Sequence, residues 1–327
     1  FSLNVNGSTT YDTPYFNYTG PDGVKVTTLA PRQPRDNVFV HGLLDYAITR
    51  DQTLRFNYSQ FSFKTKNTGV GGLDMFERAY SNENTQHTLR IQEAGPLGRR
   101  FFINTRASIN WSRSSSSSFF EGSTIRVLDR FTSGGQQQRG GVRSKSVNLY
   151  SDLDYVRGIH SWRTGIQLDG GTYHSDVENN YFGTFTFESD EAFQAKRPRS
   201  FTRRIGDPMI DYKNLQAGWY IQDDIRVRKN LTLSPGVRYE AQTHLRDYNN
   251  FGPRFGTTWS PGTAGKLTLR ASAGVFYDWL FTNIYEQTIR VDGFRQREIN
   301  VVNPPFPEID LGSVTGTSAP TNRYLLS

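Results

Sequence analysis

Apolar and polar residues alternate with a period of two along several stretches of about ten residues, most clearly between Leu215 and Asp278. In Leu231–Glu240, one face carries only apolar or aromatic residues: Leu231, Leu233, Pro235, Val237 and Tyr239. The other face carries Thr232, Ser234, Gly236, Arg238 and Glu240. A period of two over this length predicts strands rather than helices. Strands of about 9–11 residues with one wholly apolar face are what a β-barrel needs to cross a membrane.

The same pattern predicts eleven strands. Four lie within Leu215–Asp278, and the other seven are Phe1–Asn6, Asn37–Ile48, Leu54–Ser59, Thr85–Glu93, Phe101–Trp111, Val147–Tyr155 and Trp162–Leu168. We therefore expect an all-β chain that forms an antiparallel transmembrane β-barrel with about 11–12 visible strands.

Short and long connections alternate between these strands. The short connections fall near 49–52, 94–100, 157–160, 228–230 and 260–265. The long ones fall at 7–35, 61–84, 112–145 (with the serine run RSSSSSFFEG, expected to be loop), 170–213, 241–250 and from 279 onward. Outer-membrane barrels show this asymmetry, with short periplasmic turns and long extracellular loops.

Single-chain bacterial barrels have even numbers of strands and both termini on one side, so an odd count is not expected of a closed barrel. A lipid-exposed sheet edge is not tolerated either. We therefore expect a single partial barrel domain over 1–327, with residues 279–327 forming an extracellular loop or the start of further strands. The alternative is that the pattern does not reveal every strand, in which case a further strand is expected within 285–302.

Composition narrows the functional classes. Hydrophobic residues make up only 35% of the chain and mean hydropathy is −0.62, without the run of about 18 apolar residues that a membrane helix needs. Aromatic residues at 14% suit strands and interfacial girdles.

The absence of cysteine excludes disulfides and thiol catalysis, and the five histidines have no metal-ligand spacing. The net charge of +7 is dispersed along the chain, which argues against a nucleic-acid partner. Neither a catalytic constellation nor a cofactor motif is present, so we do not expect an enzyme.

Five motifs occur in a fixed order: GTFTF (183–187), GWYIQDDIRV (218–227), LTLSPGVRYE (231–240), NNFGPRFGTTWSP (249–261) and LTLRASAGVFYD (267–278). Together they resemble the barrel of TonB-dependent receptors, in particular the Oar-like subgroup. The resemblance implies a barrel of about 22 strands in the Gram-negative outer membrane, plugged by an N-terminal domain. It also implies solute uptake driven through TonB.

The sequence departs from the family in two ways. It shows neither a plug-like nor a TonB-box-like segment, and it has only about half of the strands. The expected partners are outer-membrane lipid, the plug of the full-length chain, TonB for the full-length protein only, and an unidentified solute.

Charged residues on the polar faces of the predicted strands are candidates for the lumen of the barrel. They are Arg55, Arg106, Arg163, Arg238, Arg254, Arg270, Asp152, Asp154, Glu240 and Asp278. Because both signs are interleaved, we expect cross-strand ion pairs and hydrogen bonds to water or a plug. The alternative is a field that guides an anionic solute. The adjacent Asp223 and Asp224 are interpreted as lumen-facing charge near a strand end rather than as a general acid/base pair or a cation site.

Aromatic residues near strand ends predict two girdles. Tyr46, Tyr155, Trp162 and Trp259 lie near short turns, and Tyr58, Trp111, Trp219, Tyr239 and Tyr277 lie near the ends with long loops. Ordinary packing in a β core is the alternative. At the level of function, two alternatives to a receptor or transporter stay open: a surface-exposed structural or adhesive β-protein, and a soluble β enzyme.

Overall fold

The computed structural model describes residues 1–262, 266–280, 282–290, 295–309 and 317–318. The strands in this part of the chain are β1 (Ser2–Asp12), β2 (Tyr15–Thr19), β3 (Lys25–Leu29), β4 (Gln33–Ala47), β5 (Thr53–Thr68), β6 (Tyr80–Leu97), β7 (Phe101–Ser118), β8 (Thr124–Val127), β9 (Phe131–Gly134), β10 (Gln138–Arg157), β11 (His160–Ser175), β12 (Glu178–Asn179), β13 (Thr184–Phe187), β14 (Ser200–Gly206), β15 (Ile210–Arg228), β16 (Leu231–Gln242), β17 (Asn250–Trp259), β18 (Leu269–Gly274), β19 (Gln296–Val302) and β20 (Thr317–Ser318). The helices are α1 (Asp190–Gln194), α2 (Thr282–Arg290) and a 3₁₀ turn at Phe76–Arg78.

One large antiparallel sheet, here called the wall, dominates the fold. Its strands follow the order β1-β4-β5-β6-β7-β10-β11-β15-β16-β17-β18, and the two-residue β12 pairs with the start of β10. Each of the eleven predicted strands corresponds to one strand of this path. The predicted all-β, antiparallel fold class is confirmed.

Connections in the wall alternate in length as the sequence predicts as far as β16, whereas the connection from β17 to β18, predicted to be short, has nine residues against seven between β16 and β17. Short turns link β4 to β5, β6 to β7, β10 to β11 and β15 to β16; the turn between β10 and β11 has only Gly158 and Ile159. The intervening connections are longer, and 176–209 is the longest of those that lie between described wall strands. All short connections therefore lie at one end of the wall, here called the short-turn end, and the longer ones at the opposite, long-loop end.

Wall strands extend well past the predicted bounds at the long-loop end. The serine run expected to be loop is strand, because β7 continues to Ser118 and pairs with β6 on one side and with β10 on the other. Serine hydroxyls continue the polar contacts between strands, as Ser116 Oγ donates to Asn82 Oδ1 at 2.6 Å. Low sequence complexity therefore did not indicate a loop over Ser114–Ser118, which contains neither glycine nor proline to break the ladder, and the strand ends before Gly122.

The last part of the described chain differs most from the predicted bounds. Strand β18 is only Leu269–Gly274, so Tyr277 and Asp278 lie beyond its end. Within 285–302 the structure has the end of α2 followed by β19. β19 pairs with β14 and does not join the wall. The GTFTF motif at 183–187 likewise forms β13, outside the wall.

The wall strands are staggered relative to one another. One cross-strand row contains Tyr46, Leu54, Trp219 and Tyr239 and continues to Phe251. Yet Tyr46 lies one residue before the short-turn end of β4, whereas Trp219 lies nine residues before the short-turn end of β15. The row therefore shifts from the short-turn end toward the long-loop end as it crosses the wall. This shift is the stagger that tilted barrel strands require.

The hydrophobic core lies among the long connections and not in the wall. Strands β20, β19, β14, β13, β8 and β9 form a second sheet in that order, and β2 and β3 form a hairpin. This loop assembly buries six apolar side chains in one cluster: Val127, Phe131, Phe185, Phe187, Phe201 and Val301. Phe16 is also buried there, against Val70 and Ala79 in a second cluster. Among the described residues, no helix has the length and apolar character to cross a membrane.

Candidate functional site: the two faces of the wall

Cross-strand register separates the wall into an apolar and a polar face. One row reads Leu44, Phe56, Ile91, Ala107, Leu149, Leu168, Ala217 and Ala241, which are all apolar. The next row, on the opposite face, reads Asp45, Arg55, Gln92, Arg106, Tyr150, Gln167, Gly218, Glu240 and Asn250. Directly opposed residues share a face and successive residues change face, so the difference in polarity between the two faces holds across eight neighbouring strands.

Large apolar side chains stay exposed on the apolar face. Leu44 is 49% exposed, Val147 53% and Trp219 43%. A soluble sheet would cover such side chains with a second layer. Coverage of the polar face varies, since Glu240 is only 8% exposed whereas the side chain of Arg55 is 52% exposed. The exposure of large apolar side chains is therefore what distinguishes the wall from a sheet of a water-soluble protein.

Three of the predicted arginines form ion pairs on the polar face. Arg55 binds Asp45 through Nε to Oδ1 at 2.6 Å and Nη2 to Oδ2 at 3.1 Å. Arg163 binds Asp154 in the same bidentate way, at 2.5 and 3.0 Å. Both pairs join residues that lie directly opposite each other on neighbouring strands. Arg238 instead donates to Glu240 two residues along the same strand, at 2.5 Å.

Hydrogen bonds extend these pairs into a network. Arg238 Nη2 donates to Gln167 Oε1 at 2.6 Å, and Gln167 Nε2 donates to Asp169 Oδ2 at 2.7 Å. Tyr150 donates its hydroxyl to Asp169 at 2.7 Å. Tyr220 donates to Asp152 in the same manner, at 2.6 Å. Each aspartate is thereby neutralised or hydrogen-bonded across strands, which stiffens this part of the wall.

The remaining charged candidates lie apart from this network. Arg254 stacks over the ring of Phe276 at 4.6 Å. Arg270 is exposed on β18, at the edge of the wall. Asp278 lines a small cleft with Glu240. The structure therefore brings Arg163, Arg238, Asp152, Asp154 and Glu240 together and leaves Arg254, Arg270 and Asp278 near the β18 edge.

Arg106 lies in an open depression on the polar face. The depression has a volume of about 570 Å³ and is lined by Arg90, Gln92, Arg106, Ser108, Asn148 and Tyr150, among others. Within the described part of the chain, neither Arg90 nor Arg106 forms an ion pair. The depression can therefore receive a negatively charged group. Arg90 was not among the predicted residues, although its position two residues before Gln92 places it on the same face.

The interpretation of Asp223 and Asp224 as a lumen-facing pair is wrong. Adjacent strand residues point to opposite faces, and Asp223 lies directly opposite Trp162 on the apolar face. Asp223 is only 4% exposed there, and its Oδ2 lies 2.5 Å from His160 Nδ1. Asp224 lies on the polar face and accepts a hydrogen bond from Gln222 at 3.0 Å.

Aromatic residues cluster at the short-turn end of the apolar face. Tyr155 and Trp162 lie directly opposite each other, two residues from the turn between β10 and β11. Tyr46 is the penultimate residue of β4, and Trp259 is the last residue of β17.

The predicted aromatic positions at the long-loop end agree less well with the structure. Tyr239 lies three residues from the end of β16, and its hydroxyl donates to Tyr248 O at 3.1 Å. Trp111 lies seven residues before the end of β7 and Trp219 nine after the start of β15, because these strands are longer than predicted.

Two buried polar residues of the loop assembly escaped the sequence analysis. Gln137 accepts hydrogen bonds from the backbone N–H groups of Phe182 and Gly183 at 2.9 and 3.0 Å, and donates to Thr124 Oγ1 at 2.9 Å. Arg78 donates to the same Thr124 oxygen at 2.9 Å, and burial lowers the pKa of its guanidinium. No sequence signal marks these residues, since both lie in stretches that are typical of loops.

Comparison with known proteins supports the fold. The model of a family described as "Outer membrane beta barrel domain" matches residues 8–247. A search of curated proteins gives no match.

A solved outer-membrane transporter shares this fold, and two other outer-membrane proteins give lower scores. The outer membrane transporter YddB from Escherichia coli superimposes with a TM-score of 0.62 at 14% identity, over 96% of this chain and 40% of that one. The siderophore receptor PirA from Pseudomonas aeruginosa gives 0.44 at 12% identity, over 74% and 36%. The iron transporter FrpB from Neisseria meningitidis gives 0.44 at 13% identity, over 79% and 41%. The chain thus spans about two fifths of the length of the transporter YddB, and the similarity to YddB is one of fold.

Proposed function

This chain belongs to the outer membrane beta barrel domain family, and on that premise we propose that it is the barrel portion of a TonB-dependent receptor or transporter for an unidentified solute. Its location is the outer membrane. The sequence motifs between 183 and 278 support the Oar-like subgroup in particular.

One observation carries the proposal: the staggered wall with an exposed apolar face and a hydrogen-bonded polar face. Lipid covers apolar residues that water would not, and a barrel interior is polar. We therefore assign the apolar face to lipid and the polar face to the lumen. Burying the apolar face in hydrocarbon gains roughly 25 cal/mol for each Å² removed from water.

The two edges of the wall bear on how the barrel closes. Among the described residues, β1 pairs only with β4, and β18 pairs only with β17. An unpaired strand edge in hydrocarbon leaves backbone N–H and C=O groups unsatisfied. We propose that further strands of the same barrel pair with both edges. Such a barrel encloses the plug that the sequence resemblance implies.

The polar face provides contacts for a plug or a solute. Ion pairs such as Asp154–Arg163 satisfy each other and are assigned to stiffening of the wall. Arg90 and Arg106, which have no acidic partner in the described part of the chain, are assigned to an anionic group of the plug or the solute. Aromatic residues at the short-turn end, such as Tyr155 and Trp162, are assigned to the periplasmic girdle.

Solute uptake with and without TonB tests the proposed function. The full-length protein would be produced in the outer membrane of matched strains that have or lack TonB. Accumulation of radiolabelled iron complexes, copper complexes and oligosaccharides would then be measured. We expect at least one solute to accumulate only in the strain with TonB.

The loop assembly favours a second candidate function, surface adhesion without transport. Its aromatic core, in which Phe187 packs against Phe193 and Phe306 with ring centroids 5.2 and 5.3 Å apart, would support a folded surface for a partner. Adhesion to polymers or cells that is equal in both strains, with no accumulation of any solute, would contradict the transport proposal and support this one.

A further inference from the structure

Basic side chains interrupt the apolar face at the long-loop end of the wall. Val147 on β10 and Leu215 on β15 belong to the last apolar row. Two residues further toward the long loops, on the same face, are Lys145 and Lys213. The row beyond contains Arg113 and Arg143. We call Arg113, Arg143, Lys145 and Lys213 the basic patch; all four are exposed.

The basic patch lacks the negative charge to balance it. Arg113 and Arg143 lie directly opposite each other on β7 and β10, an arrangement of like charges that destabilises a sheet. In the described part of the chain, none of the four side chains forms a hydrogen bond or an ion pair. The two nearby carboxylates have other partners. Glu83 binds Lys64, and Asp211 lies 2.7 Å from His174 Nδ1.

An aromatic pair lies between the apolar rows and the arginines. Trp111 stacks on His87 with ring centroids 4.9 Å apart and planes 11° apart. His87 is held by Tyr58, whose hydroxyl lies 2.8 Å from its Nδ1. Trp111 and His87 line an open depression of about 450 Å³ together with Arg113, Arg143, Lys145 and His174. The depression therefore has an aromatic floor and a cationic rim.

The order of residues along this face matches the order of layers in a lipid leaflet. Apolar rows come first. The next row contains the aromatic pair together with Lys145 and Lys213, and the row beyond it contains Arg113 and Arg143, at the level expected for the headgroups. Arginines bind phosphate oxygens in a bidentate manner, and lysines add point charges. A soluble anion would approach from water, but this depression is on the lipid-facing side of the wall.

We propose that the basic patch binds the phosphate groups of a phosphorylated lipid headgroup in the outer leaflet, with the sugar or glycerol part of the headgroup over Trp111. This inference rests on the orientation in the proposed function, in which the long loops face outward and the apolar face meets lipid. The bound lipid would balance the Arg113–Arg143 repulsion and seal the rim of the wall.

Binding of a defined phosphorylated lipid tests this inference. The full-length protein, purified in detergent and delipidated, would be titrated with lipid A, with chemically dephosphorylated lipid A and with inorganic phosphate. Binding would be followed by native mass spectrometry. We expect lipid A to bind, and the other two probes to bind at least about tenfold more weakly, a difference of about 1.4 kcal/mol.

The matched variants change the same kind of residue on opposite faces. The first double variant, Arg113→Gln with Arg143→Gln, removes two positive charges from the basic patch. The second, Arg90→Gln with Arg106→Gln, removes two positive charges from the polar face of β6 and β7. We expect the first double variant to weaken lipid A binding about tenfold or more and the second to leave it unchanged. Heat-modifiable gel mobility would verify that both variants fold.

Three outcomes would overturn the inference, and each would identify a different assignment as wrong. Unchanged lipid A binding in the Arg113/Arg143 variant would refute the basic patch alone. Phosphate competing as strongly as lipid A would identify a free-anion site instead. Loss of lipid A binding only in the Arg90/Arg106 variant would show that the polar face meets lipid, which would refute the face assignment in the proposed function as well.

Discussion

A step of one residue along a wall strand moves a side chain from the apolar face to the polar face. Ala107 and Ser108 are adjacent on β7, yet Ala107 belongs to the apolar row with Leu149, and Ser108 donates to Asn148 on the polar face at 3.2 Å. Both residues are small and half-buried. They form a matched pair for testing which face meets lipid.

We expect Ala107→Arg to destabilise the inserted barrel by about 2–4 kcal/mol, because it would place a cation in the middle of the lipid-facing surface. Ser108→Arg should cost about 1 kcal/mol, the value of its hydrogen bond, since the new side chain reaches water. Urea unfolding of the full-length protein in lipid vesicles, read by gel mobility, measures both. Equal losses of stability would contradict the face assignment.

The sequence predicted the face on which a charged side chain lies better than it predicted the ion-pair partner of that side chain. Arg55, Arg163 and Arg238 were assigned to the polar side from alternation alone, and the structure places them there. Their partners depended on register, because Asp154 lies opposite Arg163 only once β10 and β11 are paired. Alternation by itself places Asp223 on the apolar face, four residues after Trp219, and the pairing of β11 with β15 supplies its partner His160.

At the scale of elements, the connections at the two ends of the wall differ in length and in structure. The turn at Gly158 and Ile159 has only two residues, whereas the first long connection contains a complete hairpin, β2 and β3. Gly23, at the tip of that hairpin, has a positive φ of 76° and is exposed. The proposed orientation puts Gly23 outside the cell and Gly158 in the periplasm.

Epitope insertion tests this orientation. A short peptide tag inserted after Gly23 should be labelled by antibody on intact cells, because the hairpin tip lies outside the membrane. The same tag inserted after Gly158 should be labelled only after the outer membrane is permeabilised. Labelling of the Gly158 insertion on intact cells would reverse the orientation, and with it the leaflet assigned to the basic patch.

Whole-molecule geometry is set by the stagger of the strands. Leu44 and Ala241 lie in one apolar row, but Leu44 is three residues from the short-turn end of β4 and Ala241 is one residue from the long-loop end of β16. With strands about 4.8 Å apart and tilted by roughly 40°, the two ends of the row should differ in membrane depth by about 20 Å.

Spin labels attached to cysteines at these two positions measure that depth. The chain has no cysteine of its own, so each label is unique within it. We expect the Leu44→Cys label to lie in the inner leaflet and the Ala241→Cys label in the outer leaflet, as judged from relative accessibility to oxygen and to a polar nickel chelate. Equal depths would mean that the strands stand upright, contrary to the stagger.

The sequence by itself determined the number of wall strands, the polarity of their alternate faces and, as far as β16, the alternation of short and long connections. Those properties follow from a period of two and from turn residues, which are local. Only the tertiary structure decided register, the continuation of β7 through its serine run, and the separate sheet that contains β13 and β19. These depend on which distant strand supplies the partner for each N–H and C=O group. The basic patch was also decided by the tertiary structure, because Arg113 and Arg143 are thirty residues apart in sequence and become neighbours only when β7 pairs with β10.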